Sequence, residues 1–244
     1  MSGYQGTFKR YEKKYLLSES QYKLLRQKLE GKLSVDRYGK TTICNIYFDT
    51  LDHRLVRTSM EKPIYKEKLR LRSYGTPTDN DTVFIELKKK YKGIVYKRRI
   101  KSDLFSAEHY LYDGIPLEQS SQISHEIDWF LNFYQNVKPA MYISYNRVAM
   151  FGIEDNELRV TFDSNILWRE EELWLECGVF GNPLLEKGVR LMEIKTPGAM
   201  PLWLTHILDE LTIYPTSFSK YGKGYEESLR IKRKEERNGE IKYA

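Results

Sequence analysis

Cysteine is scarce: the chain holds two, Cys44 and Cys177, too far apart for a disulfide framework or a paired-cysteine metal site. Cys44 lies in a strand-like run and reads as a buried free thiol. The four histidines, His53, His109, His125 and His206, share no ligand spacing and read as incidental. No apolar run approaches the ~18 residues that a membrane-spanning helix needs. The first fifteen residues are polar and lack the apolar core of a signal peptide, which with the scarce cysteine predicts a cytoplasmic protein. No low-complexity linker and no internal repeat divides the sequence. Residues 1–244 therefore read as one domain, with a core from about residue 7 to 225 and a charged C-terminal helix and tail over 226–244.

What is abundant is charge. Forty Lys and Arg residues face 34 Asp and Glu, a formal net charge of +6, which points to an anionic partner. The placement of that charge is more informative than its sum. Side chains alternate across a strand. An extended segment over residues 64–72 therefore puts Lys66, Lys68, Arg70 and Arg72 on one face. Residues 82–90 put Glu86, Lys88 and Lys90 on one face and Val83, Ile85 and Leu87 on the other. Like charges facing each other on neighbouring strands repel, so a multivalent anion is the simplest reason to keep them.

The rest of the chain alternates strands with a few helices. A strand is predicted over Thr7–Leu16, then Ser18 and Gln21 form a capping box for a helix from Glu19 to Gly31. Strands follow over Thr41–Thr50 and Ile94–Lys101, the latter joined to the second basic strand by a Lys92–Gly93 hairpin. Ile123, Ile127, Phe130, Leu131 and Tyr134 recur at helical spacing. Strands are read over Pro139–Phe151, Leu158–Asp163 and Gly188–Thr196, and helices over Pro201–Leu211 and Tyr225–Lys234. Residues 167–188 read as irregular and the last ten as a frayed tail. About eight strands with polar residues on one face predict a mainly β (α+β) fold: an eight-stranded antiparallel β-barrel with a polar interior and flanking helices.

Listed by parity, the polar faces carry Arg10, Glu12 and Lys14; Lys68, Arg70, Arg72, Glu86 and Lys88; Lys97 and Arg99, or Arg98 in a shifted register; Arg147; Arg159, Thr161 and Asp163; and Glu193 and Lys195. Arginine grips phosphate oxygens bidentately and lysine offers a mobile point charge. Carboxylates among them suit a divalent cation bridging to phosphate, since Mg²⁺ and Mn²⁺ bind through one or two carboxylates plus phosphate oxygens. Glu193 is the first choice of ligand, with Glu86 and Glu12 in support. Tyr145 and the region of Trp129 read as core, and Lys232–Lys234 as a solvated helix end.

The stretches Phe8–Tyr15, Asn45–Thr50, Leu69–Gly75, Glu86–Lys88, Tyr145–Arg147, Glu193–Lys195 and Ser217–Tyr221 occur together and in order. This set resembles the VTC domain, the polyphosphate polymerase domain of the CYTH-like triphosphate tunnel metalloenzymes. The resemblance implies an eight-stranded tunnel that binds ATP, inorganic triphosphate or polyphosphate with a divalent metal, Mn or Mg. It also implies phosphate-holding roles for Lys14, Lys68, Arg70, Arg72, Lys88, Lys97 or Arg98, Arg147, Arg159, Lys195 and Lys220. Ser219 adds a hydroxyl, with its alternative use as a helix cap, and Glu193 holds the metal. Arg70, Arg72, Lys88, Arg147 and Lys220 are the expected catalytic cations. Many CYTH proteins carry two alternating glutamates before the first lysine; here Arg10 replaces the first, which favours the more basic VTC type. The expected reaction is ATP-dependent polyphosphate synthesis, with triphosphate hydrolysis or non-catalytic polyphosphate binding as alternatives. An enclosed cationic lumen argues against nucleic acid as the partner.

Overall fold

A computed structural model describes residues 11–92 and 94–242. Arg10, the start of the first predicted strand and Gly93 of the predicted hairpin lie outside the described residues. In chain order the described elements are β1 (Tyr11–Leu17), α1 (Glu19–Lys28), β2 (Leu33–Asp49), α2 (Arg54–Met60), β3 (Tyr65–Tyr74), β4 (Thr82–Tyr91), β5 (Ile94–Asp103) and α3 (Leu104–Glu108). A single π turn (His109–Asp113) leads to α4 (Gln122–Tyr134), β6 (Lys138–Gly152), β7 (Arg159–Arg169), β8 (Asn182–Pro183), β9 (Arg190–Thr196), α5 (Leu202–Glu210) and α6 (Lys220–Lys242).

Eight of the strands form one antiparallel sheet in the order β1-β9-β7-β6-β2-β3-β4-β5, and the two-residue β8 pairs with β7. The mainly β class is as expected. The predicted closure is not: among the described residues β1 and β5 are the ends of the strand order and do not pair. Part of β1's free edge is instead taken by the segment before α6, where the Thr216 amide donates to the Lys14 carbonyl at 2.7 Å. The two end strands nevertheless face one hollow, with Glu12 and Lys14 of β1 and Lys97 and Arg99 of β5 in its wall.

The alternation in β3 and β4 explains which side is which. Leu69, Leu71, Val83, Ile85 and Leu87 are fully buried and share a cluster with Leu104, Ala107, Ile127 and Phe130 under α3 and α4. A second cluster packs Val160, Phe162, Met192 and Ile194 against Leu25 and Leu29 at α1 and Leu204 and Leu208 of α5. Burying each such side chain is worth roughly 1.5–3 kcal/mol. The helices thus clothe the outer face and leave the charged face as a concave interior. A third cluster sits inside: Tyr47, Met141, Ile143, Tyr145 and Ile166 surround Tyr221 of α6.

Several lengths differ from the sequence reading. β2 begins at Leu33, eight residues before the expected Thr41. β7 runs on to Arg169 through a bulge at Asn165 (φ 48°), where β6 shifts register between Ser144 and Asn146; the extra residue breaks the period-2 pattern. α6 begins five residues earlier than the charged run suggested and continues to Lys242. Its start carries two glycines, Gly222 and Gly224, and turns Lys220 and Tyr221 into the interior, so its surface-helix signal appears only later.

Candidate functional site

The concave face encloses a cavity of about 530 Å³ lined by ten lysines and arginines and three glutamates, along with Tyr47, Tyr74, Tyr145, Ser219 and Tyr221. The cations come from six strands and one helix: Lys14 on β1; Lys68, Arg70 and Arg72 on β3; Lys88 on β4; Lys97 and Arg99 on β5; Arg147 on β6; Lys195 on β9; and Lys220 at the first turn of α6. The excess of positive over negative side chains in one hollow suits a polyanion.

Three carboxylates organise these cations. Glu86, 1 % exposed, receives Arg70 Nε at 2.8 Å and Lys97 Nζ at 2.8 Å, bonds Arg99, and has Arg72 at 3.7 Å. Burial alone would raise its carboxyl, but Arg70, Arg72 and Lys97 outweigh that and hold it well below the ordinary range. Asp163 accepts both Arg147 Nε and Nη2, at 2.6 and 2.7 Å, and Lys220 Nζ at 2.6 Å. Glu193 is different. Four cations surround it, Lys14 at 3.5 Å, Lys220 at 3.6 Å, and Arg147 and Lys195 at 3.8 Å, all beyond hydrogen-bond distance. Glu12 is similarly placed, with Lys14 at 3.5 Å and Lys195 at 3.6 Å.

These contacts sort the expected metal ligands. Both oxygens of Glu86 are taken by guanidinium and ammonium groups, so here it organises cations. Glu193 and Glu12 keep oxygens free of close donors and influence each other's ionisation. Among the described residues no group of three or more His, Cys, Asp or Glu side chains is assembled for a metal. A bound cation would therefore draw its remaining ligands from phosphate oxygens or water, as Mg²⁺ sites commonly do.

Two expected cations fall elsewhere. Arg98 lies on the outer face of β5 and donates to Glu126 of α4 at 3.1 Å; the unshifted register puts Lys97 and Arg99 inside. Arg159 shares parity with Asp163 but stands exposed at the strand end, over the Phe151 ring, and does not line the cavity. Ser219 takes the cap role, its hydroxyl accepting the Gly222 amide at 3.2 Å at the start of α6, and it also accepts Lys68 Nζ at 3.1 Å in the wall of the cavity.

The tyrosines are what the sequence reading missed. Tyr145, read as core, lies under the cations of Arg147 (5.0 Å) and Lys220 (4.4 Å) and faces Arg72 with its hydroxyl. The signal was present, since Tyr145 shares strand parity with Arg147. Tyr47 accepts Arg70 at 3.2 Å and stacks on Tyr221 at 4.8 Å. Tyr221 donates to buried Asp49 at 2.8 Å, and Asp49 also accepts the Leu55 and Val56 amides that open α2. This chain of contacts fixes the start of α6, and hence Lys220, against the sheet.

Crowding changes the ammonium groups. Burial, with Lys66, Lys88 and Lys14 nearby, brings Lys68 down to about 8. Burial also lowers Lys97 to about 8 despite Glu86. Lys220 goes the other way, because Asp163 and Glu193 more than offset its burial.

The fold and its family can be set against known proteins. A candidate adenylate cyclase from Bacillus halodurans is similar over 88% of this chain and 96% of its own, with TM-score 0.53 and 15% identity. A candidate adenylyl cyclase from Hippeastrum, described as having a dominant triphosphatase activity, is similar over 88% of this chain and 94% of its own, with TM-score 0.54 and 16% identity. Both likenesses concern the triphosphate tunnel fold. No curated protein matches the chain. The family model of the VTC domain matches residues 9–229, nearly the whole sequence and every strand that lines the cavity, and the chain belongs to the VTC domain family.

Proposed function

We propose that this protein is a metal-dependent phosphoryl transferase that takes the γ-phosphate of ATP and adds it to a growing polyphosphate chain. The observation that carries this reading is the cavity in which ten cationic side chains converge. Phosphoryl transfer needs little beyond positioning and charge stabilisation, and the cavity supplies both. Arg70, Arg72, Lys88, Arg147 and Lys220 hold the triphosphate oxygens, with Lys14, Lys68, Lys97 and Lys195 extending the grip. Asp163 aims Arg147 and Lys220 so that their positive charge is in place before the substrate arrives. A terminal oxygen of the acceptor chain attacks the γ-phosphorus, the bond to the β-phosphate oxygen breaks, and ADP leaves.

Glu193 and Glu12 would hold a divalent cation, Mn²⁺ or Mg²⁺. When bound, the cation would neutralise charge on the transferred group. The remaining steps belong to the chain's own residues: gripping phosphates, aligning donor and acceptor, and limiting the water that could compete as acceptor.

Hydrolysis of triphosphate is the second reading, supported by the tunnel fold shared with the Hippeastrum protein. The same cradle serves it, with water as acceptor. Incubation with ATP and Mn²⁺, followed by chromatography, separates the two: ADP with long phosphate chains is expected, whereas free phosphate without chains would favour hydrolysis.

A further inference from the structure

Beyond the cation-lined cavity lies a second one of about 780 Å³, and the two share Arg72, Tyr74, Arg99 and Arg147 in their walls. Its chemistry is different. Aromatic rings replace lysines: Tyr38, Tyr74 and Phe84 line it, with Tyr74 and Phe84 edge-to-face at 5.9 Å and the Arg99 guanidinium 4.3 Å over Phe84. Its carboxylates, Asp36 and Asp81, are fixed by short turns, Asp36 accepting the Tyr38 amide at 3.0 Å and Asp81 the Thr78 amide at 2.8 Å.

The backbone builds this vestibule deliberately. β2 leaves its pairing with β6 between Val35 and Lys40, and Gly39 adopts φ 59°, a conformation that favours glycine. The excursion carries Tyr38, 64 % exposed, into the wall of this cavity. Exposed aromatic rings with a few fixed acceptors suit a flat ring and hydroxyl groups. Asp36 and Asp81 would repel phosphate but can accept from ribose hydroxyls or an exocyclic amine.

We propose that the second cavity binds the nucleoside end of a nucleoside triphosphate whose phosphates pass the shared arginines into the first. This rests on the reading that the first cavity holds phosphate.

The test is calorimetric titration of the whole protein with ATP and with inorganic triphosphate, for wild type, Tyr38→Ala and Phe84→Leu. Base–aromatic stacking lost by substitution corresponds to about tenfold in affinity. Both variants are expected to bind ATP about tenfold more weakly and triphosphate as wild type does. Tyr38 is exposed, so its replacement leaves the fold intact even if Phe84→Leu does not. Equal weakening of both ligands, or unchanged ATP binding, would overturn the nucleoside assignment while triphosphate binding persists. Wild type binding neither ligand would overturn the phosphate reading itself.

Discussion

Lys220→Ala is expected to lower ATP turnover by about a hundredfold or more, the scale seen when one aimed charge is removed from a preorganised anion site. Lys220 is nearly buried, 2.6 Å from Asp163 and 3.6 Å from Glu193, and Asp163 and Glu193 keep its ammonium protonated. Without it, Asp163 still holds Arg147 through two bonds, so the fold should survive and the loss should appear in the reaction. Steady-state kinetics beside a circular dichroism spectrum checks this. A folded variant with turnover within twofold of wild type would remove Lys220 from the machinery.

The second large effect is on stability. Glu86→Gln should destabilise the fold by about 3 kcal/mol, as when one partner of a buried ion pair is removed. The reason is that Arg70, Arg72, Lys97 and Arg99 would then face each other without their shared carboxylate. For a chain of this size that is a fall in Tm of roughly 6–12 °C. The sign of the pH dependence follows from the same contacts. The folded-state carboxyl sits below its ordinary value, so its contribution is full above the unfolded value of about 4.3 and is lost as pH falls toward the folded value. Thermal unfolding between pH 7 and pH 3 should show this acid-side loss in wild type and much less of it in Glu86→Gln. Added triphosphate should raise the variant's Tm more than wild type's, because a ligand anion can replace the missing charge. An unchanged Tm would mean that Glu86 does not hold the cluster.

Much of this was legible in the sequence. Period-2 alternation in residues 64–72 and 82–90 assigns inside and outside for β3 and β4, because a slip by one residue would bury lysines in the core. The same rule separates Lys97 and Arg99 from Arg98, where consecutive cations left the register open until Glu126 of α4 supplied the outer partner. Closure was not legible, because strand count and parity say nothing of which edges meet. The segment before α6 takes β1's edge through Thr216, a contact separated by some two hundred residues. Glu86 looked like Glu193 in sequence, each two residues from a lysine on a strand. Only three-dimensional packing shows one saturated by guanidinium groups and the other ringed at a distance. The tyrosines of the cavity were hidden for a related reason: an aromatic on a strand reads equally as core or as lining.

The central claim is that the inward cations form one triphosphate site, and the most direct measurement is calorimetric titration with inorganic triphosphate. Arg147, which joins Asp163 and Glu193 at the centre of the cavity, is the residue to remove, and Arg98, bonded to Glu126 outside it, is the control. One triphosphate per chain is expected, with affinity at least tenfold lower in Arg147→Ala, in keeping with a lost charge-assisted pair, and unchanged in Arg98→Ala. Equal binding by wild type and Arg147→Ala would contradict the account.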